Sequence, residues 1–186
     1  MKFINVEQTT DMMISVCQSI IKNKPYLTEV DSKIGDGDHG IGMSKGMENA
    51  MNILRNKRPF SDINQILKLT GTSMLTSMGG ASGIIFGSMF LGGIKDLECV
   101  SQLDKRILEK IMRKSLDTVK EKGKAKIGDK TMIDAFEPAV IAIEKCTESD
   151  LIPVFESAAT AAEKGVQDTN NILRNLGKPN ILEKGL

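Results

Sequence analysis

Between Asp31 and Gly40 the chain reads Asp-Ser-Lys-Ile-Gly-Asp-Gly-Asp-His-Gly, which gathers three carboxylates, three glycines and the only histidine of the 186 residues. An ionised aspartate offers only acceptors, so three that converge on one point repel unless a cation lies between them. Hard oxygen donors with no thiolate nearby suit Mg²⁺ or Ca²⁺, and Mg²⁺ commonly combines a few carboxylates with phosphate oxygens. Alternate residues of an extended or looped backbone point the same way, so Asp36 and Asp38 can aim together. Gly35, Gly37 and Gly40 permit the positive φ that lets a loop curl round an ion. The stretch reads as a divalent-metal loop; the plain alternative is a solvated acidic turn.

Two other readings fail on context. Gly35-x-Gly37-x-x-Gly40 matches the dinucleotide fingerprint, but no buried strand precedes it and Asp36 and Asp38 would repel a pyrophosphate. The acidic spacing and the missing closing glutamate exclude an EF-hand. A second stretch, Gly79-Gly80-Ala81-Ser82-Gly83, leaves backbone N–H groups uncovered beside a hydroxyl. That is phosphate-cradle chemistry without the lysine of a Walker loop, or else a close-packed turn between helices.

Helices must position these stretches. Met13, Val16, Cys17, Ile20 and Ile21 recur at helical spacing from Asn5 to about Lys22, with Asn5 and Gln8 as a capping box and Pro25 as the stop. A second helix begins near Gly40 and carries Met43, Met47, Ala50, Met51 and Leu54, a stripe read as core rather than a cofactor box. Its start places Asp36 and Asp38 before free N–H groups and a positive dipole end, which favour phosphate. Ser61 to about Met78 is a third helix. Ile84 to Ile94, apolar nearly all round, predicts a buried fourth. The fifth starts at Ser101–Asp104 and stops at Gly123 as its left-handed cap. Lys124 to Met132 is a basic loop, either a lid over a ligand or a solvated connector. Thr131 caps a sixth helix, Met132 to about Lys145, containing Pro138. Ser149 caps the last, Asp150 to about Asn175, whose small face at Ala158, Ala159, Ala161, Ala162 and Gly165 predicts close helix packing.

The length allows one sizeable core, and one domain over residues 1–186 is expected. A net charge of +1, with six Phe and one Tyr, gives no basic or stacking surface for nucleic acid. Few β-branched runs point to an all-α fold. Cys17, Cys99 and Cys146, scattered and odd in number, suggest reduced thiols of a cytoplasmic protein. No signal-peptide core opens the chain and no apolar run reaches membrane-spanning length.

Three spaced motifs, Ile34-Gly-Asp-Gly-Asp-His-Gly40, Ser77-Met-Gly-Gly-Ala-Ser-Gly83 and Gly128-Asp-Lys-Thr-Met-Ile-Asp134, occur in that order. Together they resemble the nucleotide-binding L-subunit family (DhaL) of bacterial dihydroxyacetone kinases, from the first helix to about Asn175. The resemblance implies a single-domain antiparallel barrel of eight helices with ADP or ATP and two Mg²⁺ at one end. It implies metal ligation by Asp31, Asp36 and Asp38. It implies nucleotide contacts from His39, Gly40, Ala81, Ser82, Gly123 and Met132, the last against adenine, beside the Gly79–Gly80 backbone. His39 is read as a phosphate or metal-shell group rather than a general base.

Two departures from the family stand out. Gly42 occupies a position where relatives often carry Asn, and the Asp-Pro-Gly turn and final helix after Lys178 are missing. Lys178 stands near the family's phosphate arginine, with its charge but without the bidentate fork. The implied partners are a K subunit holding the hydroxyketone and a phosphotransferase-system M subunit that recharges ADP; the sequence allows a homodimer without fixing the oligomeric state. Alternatives are a domain serving another ketose or an acyl acceptor, and a non-catalytic nucleotide-dependent regulator.

Overall fold

The computed structural model describes residues 1–169, which form eight helices and one two-stranded sheet. The helices are α1 (Val6–Lys22), α2 (Lys24–Ser32), α3 (His39–Lys57), α4 (Ile63–Ser77), α5 (Gly80–Gly93), α6 (Lys105–Gly123), α7 (Ile133–Lys145) and α8 (Leu151–Asp168). From α3 onward each stave packs on the next, and α1 and α2 both lie against α3. The result is the all-α barrel that the family resemblance implies. The strands β1 (Phe3–Asn5) and β2 (Gln102–Asp104) pair antiparallel with Ile4 opposite Leu103. Both of those side chains are buried in the main core, so the ribbon ties the first residues to the start of α6.

Local chemistry sets most of the helix starts. The Asn5 side chain accepts from the Gln8 N–H at 2.9 Å while Gln8 reaches back to the Asn5 N–H at 3.0 Å, completing the capping box. Asp62 and Asp104 cap α4 and α6 by accepting from Gln65 N–H and Ile107 N–H at 2.9 and 2.8 Å. The cap of α8 is Asp150 rather than Ser149, accepting from Ile152 N–H at 2.9 Å. The Leu151 N–H donates to the Met1 carbonyl at 2.9 Å, which hooks the chain start onto α8.

Four expectations are corrected. Periodicity marks seven helices, and the structure adds α2: Pro25 sits in the first turn of a new helix, where its missing N–H is harmless, instead of ending order. Asp31 therefore projects from a helix end and not from the loop. The Gly-rich stretch forms the first turn of α5, and that helix is not buried on every side. Only Gly83, Gly87, Gly92 and Gly93 are fully buried, while Ile84 is 51% exposed. The glycine face lets α5 lie close to α4 and α6, and Met89 and Phe90 face a central apolar cavity of about 180 Å³. At the end of α6 the left-handed residue is Lys124 (φ 49°), one place after Gly123, which stays helical.

The Met stripe of α3 is core, as read: Met43, Met47, Ala50 and Leu54 are all buried. Leu54 has no exposed surface and belongs to the principal cluster with Ile63, Ile66 and Ile143. Leu54→Ala is expected to lower unfolding free energy by about 3 kcal/mol, through lost transfer energy and a residual cavity. Urea denaturation checks this, and a loss near zero would mean that the site collapses freely. The expected run of the last helix to Asn175, and Lys178, lie outside the described residues.

Candidate functional site

The alternation of the staves brings the starts of α3, α5 and α7 to the same end as the close of α2, α4 and α6. The three motifs are carried there by those ends. Asp31 sits in the last turn of α2, Asp36 in the connecting loop, and Asp38 immediately before α3. One carboxylate oxygen from each lies within 4.8 Å of the others. The Gly35 N–H donates to the Asp31 carbonyl at 2.5 Å and the His39 N–H to Asp31 Oδ2 at 3.3 Å, so the loop folds back over the helix end. Of the three loop glycines only Gly37 has positive φ (77°). Gly35 and Gly40 are needed for close approach, since a Cβ at either would overlap Asp31 or α2.

Electrostatics fit a cation at this point. The Asp36 carboxylate beside it, then partial desolvation and Asp31, raise the Asp38 carboxyl above its ordinary value, with His39 opposing. Like charges held this close favour a counter-charge among them, and an all-oxygen donor set facing solvent matches Mg²⁺ chemistry.

The second motif supplies anion donors. Gly79 reverses the chain at φ 72°, ψ 174°, a conformation that residues with a Cβ rarely adopt. Gly83 is the first α5 residue bonded into the ladder, donating to the Gly79 carbonyl at 3.1 Å. The N–H groups of Gly80, Ala81 and Ser82 therefore stay outside the helical ladder at the positive end of the dipole. Nothing lies within 4 Å of the space a Cβ would fill at Gly79 or Gly80, so this turn is open to a ligand.

Side chains absent from the sequence-based expectations join the two motifs. The His39 ring lies 6.0 Å from the Phe86 ring on α5, and Asn49 Nδ2 donates to Ser77 Oγ at 2.8 Å. Beside Phe86, Ile85 forms one wall of a cleft of about 160 Å³. Val119, Gly123, Ala125, Thr131, Met132 and Ile133 line the rest of it. A Cβ on Gly123 would meet Ile85 at 3.7 Å, so the residue narrows the cleft little. Gly123 and Met132, distant in sequence, thus share one apolar cleft beside the second turn of α5. Phe86 and Ile85 carried no sequence signal, because an apolar residue in an apolar helix gives no sign of which side it faces.

The loop from Lys124 to Met132 is neither a free connector nor unsupported. Asp129 and Asp134, buried at 5% and 4% exposure, accept from its backbone. The cap of α7 is Met132 rather than Thr131, whose Oγ1 still accepts from the Ile133 N–H at 3.2 Å just ahead of the helix. Among the described residues no helix is long and apolar enough to cross a membrane.

Comparison with known proteins gives the family. The DAK2 domain family matches residues 33–185. The chain is 36% identical over 159 residues to the "PEP-dependent dihydroxyacetone kinase, ADP-binding subunit DhaL" of Escherichia coli, spanning 84% of this chain and 75% of that protein. It is 33% identical over 164 residues to the "PEP-dependent dihydroxyacetone kinase 1, ADP-binding subunit DhaL" of Listeria innocua, 88% of this chain and 80% of that one. The crystal structure of the C. freundii dihydroxyacetone kinase in complex with AMP-PNP and Mg²⁺ superposes with a TM-score of 0.74 at 23% identity. That match covers 89% of this chain and 29% of the C. freundii chain, and carries the likeness of fold. With the family's domain matched over residues 33–185, this chain belongs to the DAK2 domain family.

Proposed function

We propose that the chain is the ADP-binding, Mg²⁺-dependent subunit of a dihydroxyacetone kinase, and that residues 1–186 form one nucleotide-binding domain. The observation that carries the reading is the convergence of Asp31, Asp36 and Asp38 on one point, at the same barrel end as the open N-terminus of α5. In this reading the three carboxylates hold one or two Mg²⁺ ions. A Mg²⁺ ion held by these carboxylates would supply positive charge to offset that which develops on the phosphate during transfer. The N–H groups of Gly80, Ala81 and Ser82, with Ser82 Oγ, donate to phosphate oxygens, and Gly79 shapes the turn. His39 and Gly40 border the phosphates at the start of α3. Gly123 and Met132 take the adenine in the 160 Å³ cleft. Lys178, outside the described residues, is assigned to the phosphate end by the family pattern alone.

Positioning and electrostatics account for most phosphoryl-transfer catalysis, so the chain itself need not supply a covalent nucleophile. The acceptor hydroxyl would come from a separate K subunit, and a phosphotransferase-system M subunit would recharge ADP. The relatives' "PEP-dependent" names support that donor. A docking partner is also supported by exposed apolar side chains around the site: Tyr26, Val30, Ile34, Ile41, Ile84 and Ile127. Cytoplasmic placement belongs to the same reading and accords with three unpaired thiols.

Reconstitution tests this directly. Purified chain should retain ADP with Mg²⁺ and release it to a chelator. It should phosphorylate dihydroxyacetone only when K and M subunits are both added. Retention of ADP without any transfer would favour a nucleotide-dependent regulator. Transfer from free ATP without the M subunit would replace the donor, and transfer only to another ketose or an acyl group would replace the acceptor.

A further inference from the structure

We infer that Asp134, assisted by Asp129, is a positioning residue that preforms the cleft wall between Gly123 and Met132, holding it ready for the base of a nucleotide. The inference rests on the nucleotide reading above. The Gly128 N–H donates to Asp134 Oδ1 at 2.6 Å and the Thr131 N–H to Oδ2 at 2.8 Å. The Lys126 N–H donates to Asp129 Oδ2 at 2.9 Å, and the Asp129 N–H returns a bond to the Lys126 carbonyl at 3.2 Å. With Asp62, these are the buried carboxylates of the described residues, and neither Asp129 nor Asp134 has a cation partner among them. Their charge is met by backbone amides and, for Asp134, by the first turn of α7.

A buried carboxylate spent wholly on backbone amides specifies loop shape. This loop needs it, because Lys124, Gly128 and Lys130 all take positive φ (49°, 92° and 59°). Left-handed conformations at non-glycine residues persist only where surrounding contacts over-determine them. The two ends of the loop, Gly123 and Thr131–Met132, line the cleft with Ala125 between, so loop shape is cleft shape. The clasp is braced from behind: Gly165 of α8 packs on the Asp134 carbonyl so closely that a Cβ there would overlap it. A solvated connector would instead leave Asp129 and Asp134 at the surface and the loop amides open to water.

Asp134→Asn removes the charge and sets an amide N–H₂ against a backbone N–H. Mg·ADP affinity by calorimetry is expected to fall about tenfold, the loss of charge-assisted bonds. Hydrogen exchange at Gly128 and Thr131 should accelerate. The upward shift of the thermal midpoint caused by Mg²⁺ alone should persist, since the metal ligands lie on other elements. That last readout separates a positioning role from general destabilisation. Gly165→Ala, which disturbs the same carbonyl while keeping both carboxylates, and the milder Asp129→Asn should weaken Mg·ADP in the same sense, and they decide the matter if Asp134→Asn does not fold. Affinity within twofold of wild type in the folded variants overturns the inference alone. A wild-type chain that binds no Mg·ADP removes the nucleotide reading and this inference together.

Discussion

Asp36→Asn is expected to abolish Mg²⁺-dependent ADP retention and phosphoryl transfer while leaving the protein folded. The substitution keeps the side chain's shape and removes one of three charges whose oxygens lie within 4.8 Å of each other. At about 4 Å a unit charge pair is worth about 1 kcal/mol in water and about 4 kcal/mol near a protein surface, and a divalent ion doubles either figure. A fall of about thirtyfold in Mg·ADP affinity follows at the solvent-screened end of that range, and a larger one toward the protein-surface value. Stability should move the other way. Without metal, Asp36 is the chief cause of the raised Asp38 carboxyl. Removing that repulsion leaves the unfolding midpoint in chelator unchanged or higher. Calorimetric titration and a thermal scan with and without Mg²⁺ read both halves. Full transfer activity in the folded variant would end the metal-centre account.

Gly40→Val should damage the same centre without touching a ligand. A Cβ on Gly40 would overlap the Lys24 carbonyl and Thr28 Oγ1, the latter a buried hydroxyl with no hydrogen-bond partner among the described residues. There is no flexible side-chain tip to yield on the Lys24 side, so α2 must move off α3. Overpacking of this kind costs about 1–3 kcal/mol. Since α2 carries Asp31, its displacement opens the carboxylate cluster, and Mg²⁺ affinity is expected to fall about tenfold or more. Gly42→Ala is the matched control. A Cβ there meets Met78 at 3.7 and 3.8 Å, ordinary contact, and a helical glycine replaced by alanine gains about 0.5–1 kcal/mol. Wild-type Mg²⁺ affinity in Gly40→Val would show that the α2–α3 contact does not place Asp31.

Residues near each other in sequence made much of this legible. The capping box at Asn5, the Met stripe of α3 and the acidic run ahead of that helix are local patterns, and the structure keeps each of them. The miss at α2 has a definite cause. A proline closing one helix and a proline opening the next look alike in sequence, and the nine residues of α2 bury none of their side chains fully, so no clear apolar stripe betrays them. The error at α5 is of another sort. Uniform apolarity says that a helix avoids water without saying which side does so. Here the glycines meet the neighbouring staves, and Ile84 is left exposed beside the site.

By itself the order of residues determined which donors exist and where the helices that carry them begin: three carboxylates, a run of free amides, a capped set of amphipathic staves. Those properties arise from side-chain type and from neighbours within a turn or two. Tertiary structure decided how Asp31, on a helix that periodicity did not show, comes to Asp36 and Asp38, and that Ile85 would face Gly123 and Met132. Each depends on how closely two helices approach, a distance set at Gly40 by atoms of α2 and at Gly87 by atoms of α4. No spacing within one segment encodes such an approach, because the contact surface comes into being only when the second helix arrives.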